Sequence, residues 1–332
     1  MVTGSGRGIL PRPLRARLAD PIFRGVLTAL AVGVLVLMAF FFVELVIKAQ
    51  PTLAHTGVFN FVFGNNWDFS QGIFKALPLL VGTLVTATIA LIIGVPVAIA
   101  TALYLNELCP QRLRTPLTLL VDLLAAVPSV VFGLWGLLFL APKLRGVEQW
   151  FANLLGFIPV IGGGTVSIGL NFFIAGLVLA IMILPIVSAI SREVIATVPL
   201  DHKEAALALG ATRWEMIRMS VLPYSRAGIA GATMLGLGRA IGEAIAVAYL
   251  IGNSDFLITH IVEPGNTLAA TIALKFNEAA DDPTSRGALI ACGLLLFVLT
   301  LIANLLARYL VSRATRATRA VPAPTAAPSA VA

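Results

Sequence analysis

Arg239 and Glu243 lie four residues apart in GLGRAIGEAIAVAYL (236–250), inside an apolar run long enough to cross a bilayer. Counted from residue 228 along a helix, Arg239 sits about 16 Å into a hydrocarbon core roughly 30 Å thick. A guanidinium at that depth costs at least about 2.5 kcal/mol on insertion scales, so it must face protein or water and find a partner. Glu243 stands on the same face one turn further along and is the expected partner. Two readings follow. One is an ion pair that fixes helix packing. The other is an anion station, where the guanidinium grips an oxyanion through its planar fork and the nearby carboxylate keeps the grip releasable. Gly236, Gly238 and Gly242 remove bulk around the pair and allow close approach by another helix.

A second candidate lies in AAVPSVVFGLWG (125–136). Pro128 interrupts helical hydrogen bonding, and the freed backbone groups are tolerated only beside protein or water. Pro128 and Ser129 are therefore candidate pathway residues, with a packing kink as the equal alternative. Asp122, two turns earlier, is close enough to the membrane edge to reach the interface.

The elements that must position these groups are helices in a membrane. Hydrophobic residues make up 58% of the chain and charged residues only 12%, which excludes an ordinary soluble domain. Apolar runs near 23–47, 76–105, 116–140, 168–190, 224–251 and 287–310 predict six transmembrane helices in an all-α polytopic protein. The first run is too long for a signal-peptide core and no A-x-A site follows it, so it is expected to remain as a helix. Residues 1–22 form a basic arm, 23–311 the membrane domain, and 312–332 an Ala/Pro/Thr-rich tail that cannot build a core and is expected to be disordered. Arginines gather in the arm, at Arg112 and Arg114, around 192–226 and in the tail, which by the positive-inside rule puts both termini in the cytoplasm of a plasma or inner membrane. The net charge of +7 is then a matter of topology, and no nucleic-acid partner is needed.

Between the fourth and fifth runs lies the most charged internal stretch, PLDHKEAALALGATRWEMIRMSVLP (199–223). Asp201 with Glu204 and Thr212 with Glu215 each have capping-box spacing, and Gly210 supplies a left-handed stop between them. The expected product is two short helices around a glycine elbow, the second running to about Val221. Such a cytoplasmic knob needs a surface to press against. Outside it, Phe59, Phe61, Phe63, Trp67 and Phe69 predict either an outer platform for a partner or an interfacial aromatic belt. Cys109 and Cys292 are expected to stay unpaired, and His55, His202 and His260 carry no metal-binding spacing, so neither a metal nor a cofactor is expected.

The knob resembles the EAA loop of ABC-importer permeases, E-A-A-x3-G-x9-[IV]-x-L-P. Glu204, Ala205, Ala206, Gly210, Leu222 and Pro223 match it, while Ser220 occupies the [IV] position. With AISREVIATVP, LPYSRAGIAGA, GLGRAIGEAIAVAYLIGN and AVPSVVFGLWG, about a third of the chain resembles the phosphate-specific, PstC-type permeases. The resemblance implies a type I ABC-importer permease fold and a pairing with a second permease subunit (PstA type). It also implies two ATP-binding subunits (PstB type) and an extracytoplasmic phosphate-binding protein (PstS type). It makes Glu204, Ala205, Ala206, Gly210, Thr212 and Trp214 the expected ATPase-coupling residues. It places the family's intramembrane charges on Arg239 and Glu243, with Ala244 where many members have Thr. The chain has no G-x4-G-K-[ST] and no lysine that follows a glycine, so ATP hydrolysis is expected in a partner and not here. The alternatives are a permease for sulfate or molybdate and, from another class, a stand-alone secondary transporter gated by Arg239 and Glu243.

Overall fold

The computed structural model describes residues 14–69, 71–154, 156–157, 169–258, 260–279 and 281–319. The chain divides into two units, residues 1–48 and 49–332. The first consists, among the described residues, of the leading part of α1 (Leu14–Thr56). The expected arm is therefore already helical from Leu14, and its residues 1–13 lie outside the described ones. All other elements belong to the second unit: α2 (Val58–Phe63), a hairpin of β1 (Trp67–Asp68) and β2 (Ile73–Phe74), α3 (Leu77–Leu103), α4 (Gln111–Ala125), α5 (Ser129–Trp135), α6 (Ala141–Leu154) and α7 (Phe172–Ala196). There follow α8 (Leu200–Ala208), α9 (Arg213–Met216), α10 (Leu222–Gly242), α11 (Ile245–Leu250), α12 (Leu268–Lys275) and α13 (Pro283–Arg319).

Five helical stretches among the described residues are long and apolar enough to cross a membrane: Pro21–Thr56, Leu77–Leu108, Ser129–Leu154, Phe172–Ala196 and Pro283–Arg313. Two of the six expected spans are corrected. The third begins at Ser129 and runs to Leu154, so α4 stands apart from it and the span continues past its expected end at residue 140. Pro128 is the reason: it has no N–H to continue α4 and disfavours helical geometry in Val127 before it. The fifth is made in two pieces, α10 and α11, with Glu243 in extended geometry between them. At the chain's end α13 continues to Arg319, so residues 312–319 are helical where a coreless tail was expected. Arginine and alanine extend a helix at little cost without any core. Residues 320–332 lie outside the described ones.

Three π turns, Tyr104–Leu108, Gly136–Leu140 and Ile217–Val221, share one sequence cause. Each closes on an N–H that reaches back five residues, from Cys109, Ala141 and Leu222, and in each the next residue is proline: Pro110, Pro142, Pro223. A proline ring collides with the carbonyl four residues back, and a widened turn makes room for it without breaking the chain's helical course. The second knob helix accordingly does not stop before Pro223 but passes through the third π turn straight into α10.

The core is a helical packing of α3, α7 and α10. α3 and α7 run parallel and touch through glycine: a Cβ on Gly94 would meet the Ala180 carbonyl at 2.9 Å, and one on Gly176 would meet Ile89 Cγ2 at 2.6 Å. Ile174, Val178, Ile183, Phe172 and Leu250 fill the space around that contact. A second cluster forms at the far end from the knob, where Phe61, Trp67 and Phe74 are buried with Leu79, Leu268, Leu289 and Cys292. The outer aromatics thus split: Phe61 and Trp67 belong to the core, while Phe59 and Phe63 stay exposed and meet each other at 4.8 Å. In α12, Leu268, Ala269, Ala270 and Thr271 are buried.

Asp282 opens α13, accepting hydrogen bonds from the backbone N–H groups of Thr284 (3.1 Å) and Ser285 (3.0 Å) and from the Ser285 hydroxyl. These bonds, the Ser285 hydroxyl foremost, hold its carboxyl below the usual range. Asp282→Ala removes an N-cap and should lower the midpoint of thermal unfolding in detergent. Because the folded pKa is depressed, the cap's contribution is full above the unfolded value and fades as pH falls through the folded one. The Asp282→Ala variant should therefore lose no further cap stability on acidification.

Candidate functional site

The knob is built from α8, the elbow and α9. α8 starts two residues earlier than the capping-box spacing predicts: Pro199 is the N-cap, and Asp201 lies inside the first turn with no side-chain cap bond. Proline suits a helix start because its missing N–H is not needed there, and that moves Asp201 out of capping position. Its charge still favours the positive end of the helix. The stop is as expected. Gly210 has φ +87°, its N–H donates to the Leu207 carbonyl (3.0 Å), and the Ala211 N–H donates to the Ala206 carbonyl (3.2 Å), the paired bonds of a Schellman ending.

Thr212 then caps α9 in a complete box. The Glu215 N–H donates to Thr212 Oγ1 (3.3 Å), and the Thr212 N–H donates to Glu215 Oε2 (2.8 Å). The Thr212 backbone N–H, followed by its hydroxyl, holds the Glu215 carboxyl below the usual range.

Anchoring and display divide along the knob. Ala206, Met216 and Ile217 are buried with Ala102, Ile195 and Val198, fixing the knob to the ends of α3 and α7. Glu204, Ala205, Gly210, Thr212 and Trp214 are exposed. Of the six expected coupling residues, Ala206 is therefore an anchor and the other five are on display. Leu209 at 90% exposure and Trp214 at 64% are the apolar tips of that surface. The sequence reading missed Leu209. Its signal was a leucine at the very end of a short helix, just before the glycine stop, where it has nothing to pack on.

Arg239 and Glu243 are arranged differently from a single helical face. α10 ends at Gly242, and Glu243 takes φ −73°, ψ 119°, turning its carboxylate toward the start of α11, where Oε1 accepts from the Ala246 N–H at 3.4 Å. Arg239 is exposed and makes no ion pair with Glu243 or with any other described residue of this chain. Three glycines in the central stretch disfavour helix, and the run GEA has no reason to stay helical once α11 finds a partner of its own. That partner is α5. A Cβ on Gly133 would meet Ala246 Cα at 3.0 Å and Tyr249 Cδ2 at 2.9 Å, and one on Gly136 would meet Leu250 Cδ2 at 2.8 Å.

These contacts run in the same sense along both helices, so α5 and α11 are parallel. Stepping back along that register sets the α5 start, Pro128–Ser129, level with the Gly242–Glu243 break. The Pro128 break expected from the sequence and the Glu243 break seen in the fold therefore belong to one level. Of the three glycines, Gly236 faces α7, where a Cβ would meet Val187 Cγ2 at 2.7 Å, while Gly238 and Gly242 have no neighbour within 4 Å. The expected close approach is thus made by α7 at Gly236 alone.

Asp122 accepts from Arg192 at 3.2 Å, and Lys203 pairs with Glu107 at 2.6 Å. Neither contact was foreseen, because each joins residues at least 70 positions apart.

Residues 94–316 match the family described as binding-protein-dependent transport system inner membrane component. A protein of Mesorhizobium japonicum named phosphate transport system permease protein PstC is 40% identical over 304 residues, 90% of this chain and 92% of its own. One from Mycobacterium tuberculosis, phosphate transport system permease protein PstC 2, is 42% identical over 300 residues, 88% and 92% of the two chains. Among solved structures, a bacterial ABC transporter involved in the import of the acidic polysaccharide alginate has a chain that overlays with a TM-score of 0.59 at 19% identity, over 90% of this chain and 99% of that one. That likeness carries the permease architecture. The packing of α3, α7 and α10, the capped EAA knob and the near-full-length similarity agree: the chain is a multi-pass membrane permease that belongs to the binding-protein-dependent transport system inner membrane components, within their PstC-type group.

Proposed function

We propose that this chain is one of two permease subunits of an ATP-driven inorganic phosphate importer and that it forms half of the translocation pathway. The observation that carries the reading is the knob, a capped and buried-rooted elbow that displays Leu209 and Trp214 to water. Large apolar side chains held out on a rigid support mark a docking surface. An ATP-binding subunit is the partner that a chain without its own phosphate loop requires. Phosphate as substrate rests on the names of the relatives.

In this reading both termini and the knob are cytoplasmic, as the arginine distribution supports. A phosphate-binding protein delivers substrate at the opposite face. The second permease subunit lies along the open side of α10 at Gly238 and Gly242. Arg239 is the anion station, with Glu243, Pro128 and Ser129 at the same level of the pathway. Arg239 has no carboxylate partner within the described chain, which favours a ligand over a structural pair. Glu243, turned away from it, opposes a fully charged anion across the break and keeps binding brief.

The test is purification of the chain from native membrane with whatever ATPase it carries, followed by reconstitution with the phosphate-binding protein outside and ATP inside. Phosphate uptake that requires ATP and is not displaced by sulfate or molybdate is the expected result. Uptake by this chain alone, without ATP, would overturn the reading in favour of a secondary transporter. A knob variant provides a second check. Leu209→Glu should reduce ATPase co-purification about tenfold, since burying a carboxylate at the centre of an apolar contact is costly. Undiminished co-purification would place the docking surface elsewhere.

A further inference from the structure

The knob is tied to the membrane helices by a chain of polar bonds as well as by its apolar roots. In α8, Lys203 places Nζ 2.6 Å from Glu107 Oε1, with the two side chains only 15% and 8% exposed. Two charges withdrawn from water hold together only when the pair is tight, and breaking it strands a buried charge. Glu107 lies in the π turn that ends α3. Its neighbour Asn106 donates to the Arg192 carbonyl of α7 (2.6 Å) and accepts from Arg114 of α4 (2.6 Å). Near the other end of α4, Asp122 accepts from Arg192 at 3.2 Å.

α4 itself buries no side chain completely. Beside the contact of Leu124 with the main core, this pair of polar grips, one near each end, holds it in place. Shortly after its last residue the chain breaks at Pro128 and α5 begins. A continuous line of short bonds thus runs from the knob through the tip of α3 into α4. From there it reaches the level of the Glu243 break.

We infer that Lys203, Glu107, Asn106 and Arg114 form a permanent strut that carries displacement of the knob into α4 and so to the start of α5 at Ser129. The inference rests on the coupling role proposed for the knob. The four are positioning residues: none touches the pathway, and each acts by keeping α4 in step with α8. A tight, covered ion pair suits that task because it resists being pulled apart, whereas apolar contact alone allows the two elements to slide. The exposed tips of the knob set how firmly it docks. The strut sets how much of its motion reaches the membrane.

The experiment uses the assembled transporter in proteoliposomes and reads phosphate taken up per ATP hydrolysed. Lys203→Met should keep its ATPase bound but lower that ratio about five- to tenfold, in the range expected for residues that carry coupling between sites. Lys203→Glu with Glu107→Lys should restore most of it, a rescue that loss of an ATPase contact by Lys203 would not show. Arg114→Gln, at an exposed position, should lower the ratio two- to fivefold. It decides the matter if Lys203→Met fails to assemble. An unchanged ratio in Lys203→Met or in Arg114→Gln overturns the strut, as does a reversed pair that assembles and hydrolyses ATP without recovery. If the unaltered chain carries no ATPase at all, the coupling role itself is overturned. If it is coupled and the variants are equally coupled, only the strut falls.

Discussion

Arg239→Gln should abolish phosphate passage while the ATPase still co-purifies. A guanidinium that grips an oxyanion through charged hydrogen bonds contributes about 2–3 kcal/mol that a neutral amide does not replace. Uptake should therefore fall roughly thirty- to hundredfold at limiting phosphate. The substitution also removes the main insertion cost from α10, about 2.5 kcal/mol, so the variant should accumulate in the membrane at least as well as the parent. These two outcomes separate the roles. A purely structural arginine would damage assembly when removed, and transport only in proportion. Normal uptake in proteoliposomes would sink the anion station. Glu243→Gln probes the same level from the other side: with the opposing charge gone, phosphate should bind more tightly and leave more slowly. An unchanged rate and unchanged affinity in that variant would remove Glu243 from the pathway.

The second large effect is expected at the elbow. Gly210 holds φ +87° and donates its N–H to Leu207. Proline can do neither, since its φ is fixed near −65° and it has no N–H, and the mismatch costs about 3 kcal/mol or more. No side chain or backbone lies within 4 Å of the position where a Cβ would stand, so the strain is in the backbone alone. Relief of that strain must change the angle between α8 and α9, moving Trp214 relative to Leu209. ATP hydrolysis should persist in Gly210→Pro while uptake drops to near background. Gly210→Ala, paying only about 1–2 kcal/mol for a left-handed alanine, should show an intermediate ratio. Equal coupling in all three proteins, measured as phosphate per ATP, would show that the elbow's shape is not what the ATPase reads.

Local rules were legible in the sequence wherever the causing residues are neighbours. Gly210 ends α8 because only glycine takes that φ cheaply, and Thr212 and Glu215 cap each other because three residues separate them. The prolines at 110, 142 and 223 each widen the turn before them, a regularity visible once the three π turns are set side by side. Asp201 shows how narrow such rules are: a shift of the start by two residues, imposed by Pro199, cost it the cap. The third span was misplaced because hydropathy is nearly continuous across residues 116–140, and a sliding window does not register a missing N–H at Pro128.

The sequence by itself determined the membrane class, the helical content, the two-piece knob and which charged residues it offers for pairing. It did so because each depends on composition or on spacings of a few residues. The tertiary structure decided which of those charges meet. Helical spacing paired Arg239 with Glu243, yet α11 packs on α5 through Gly133 and Gly136, and that packing ends α10 at Gly242 and turns Glu243 aside. Lys203 finds Glu107, and Arg192 finds Asp122, across separations that no local pattern encodes. Those partnerships are set by which helices lie side by side, and the energy that chooses between arrangements comes from burying whole faces, not from any one residue pair.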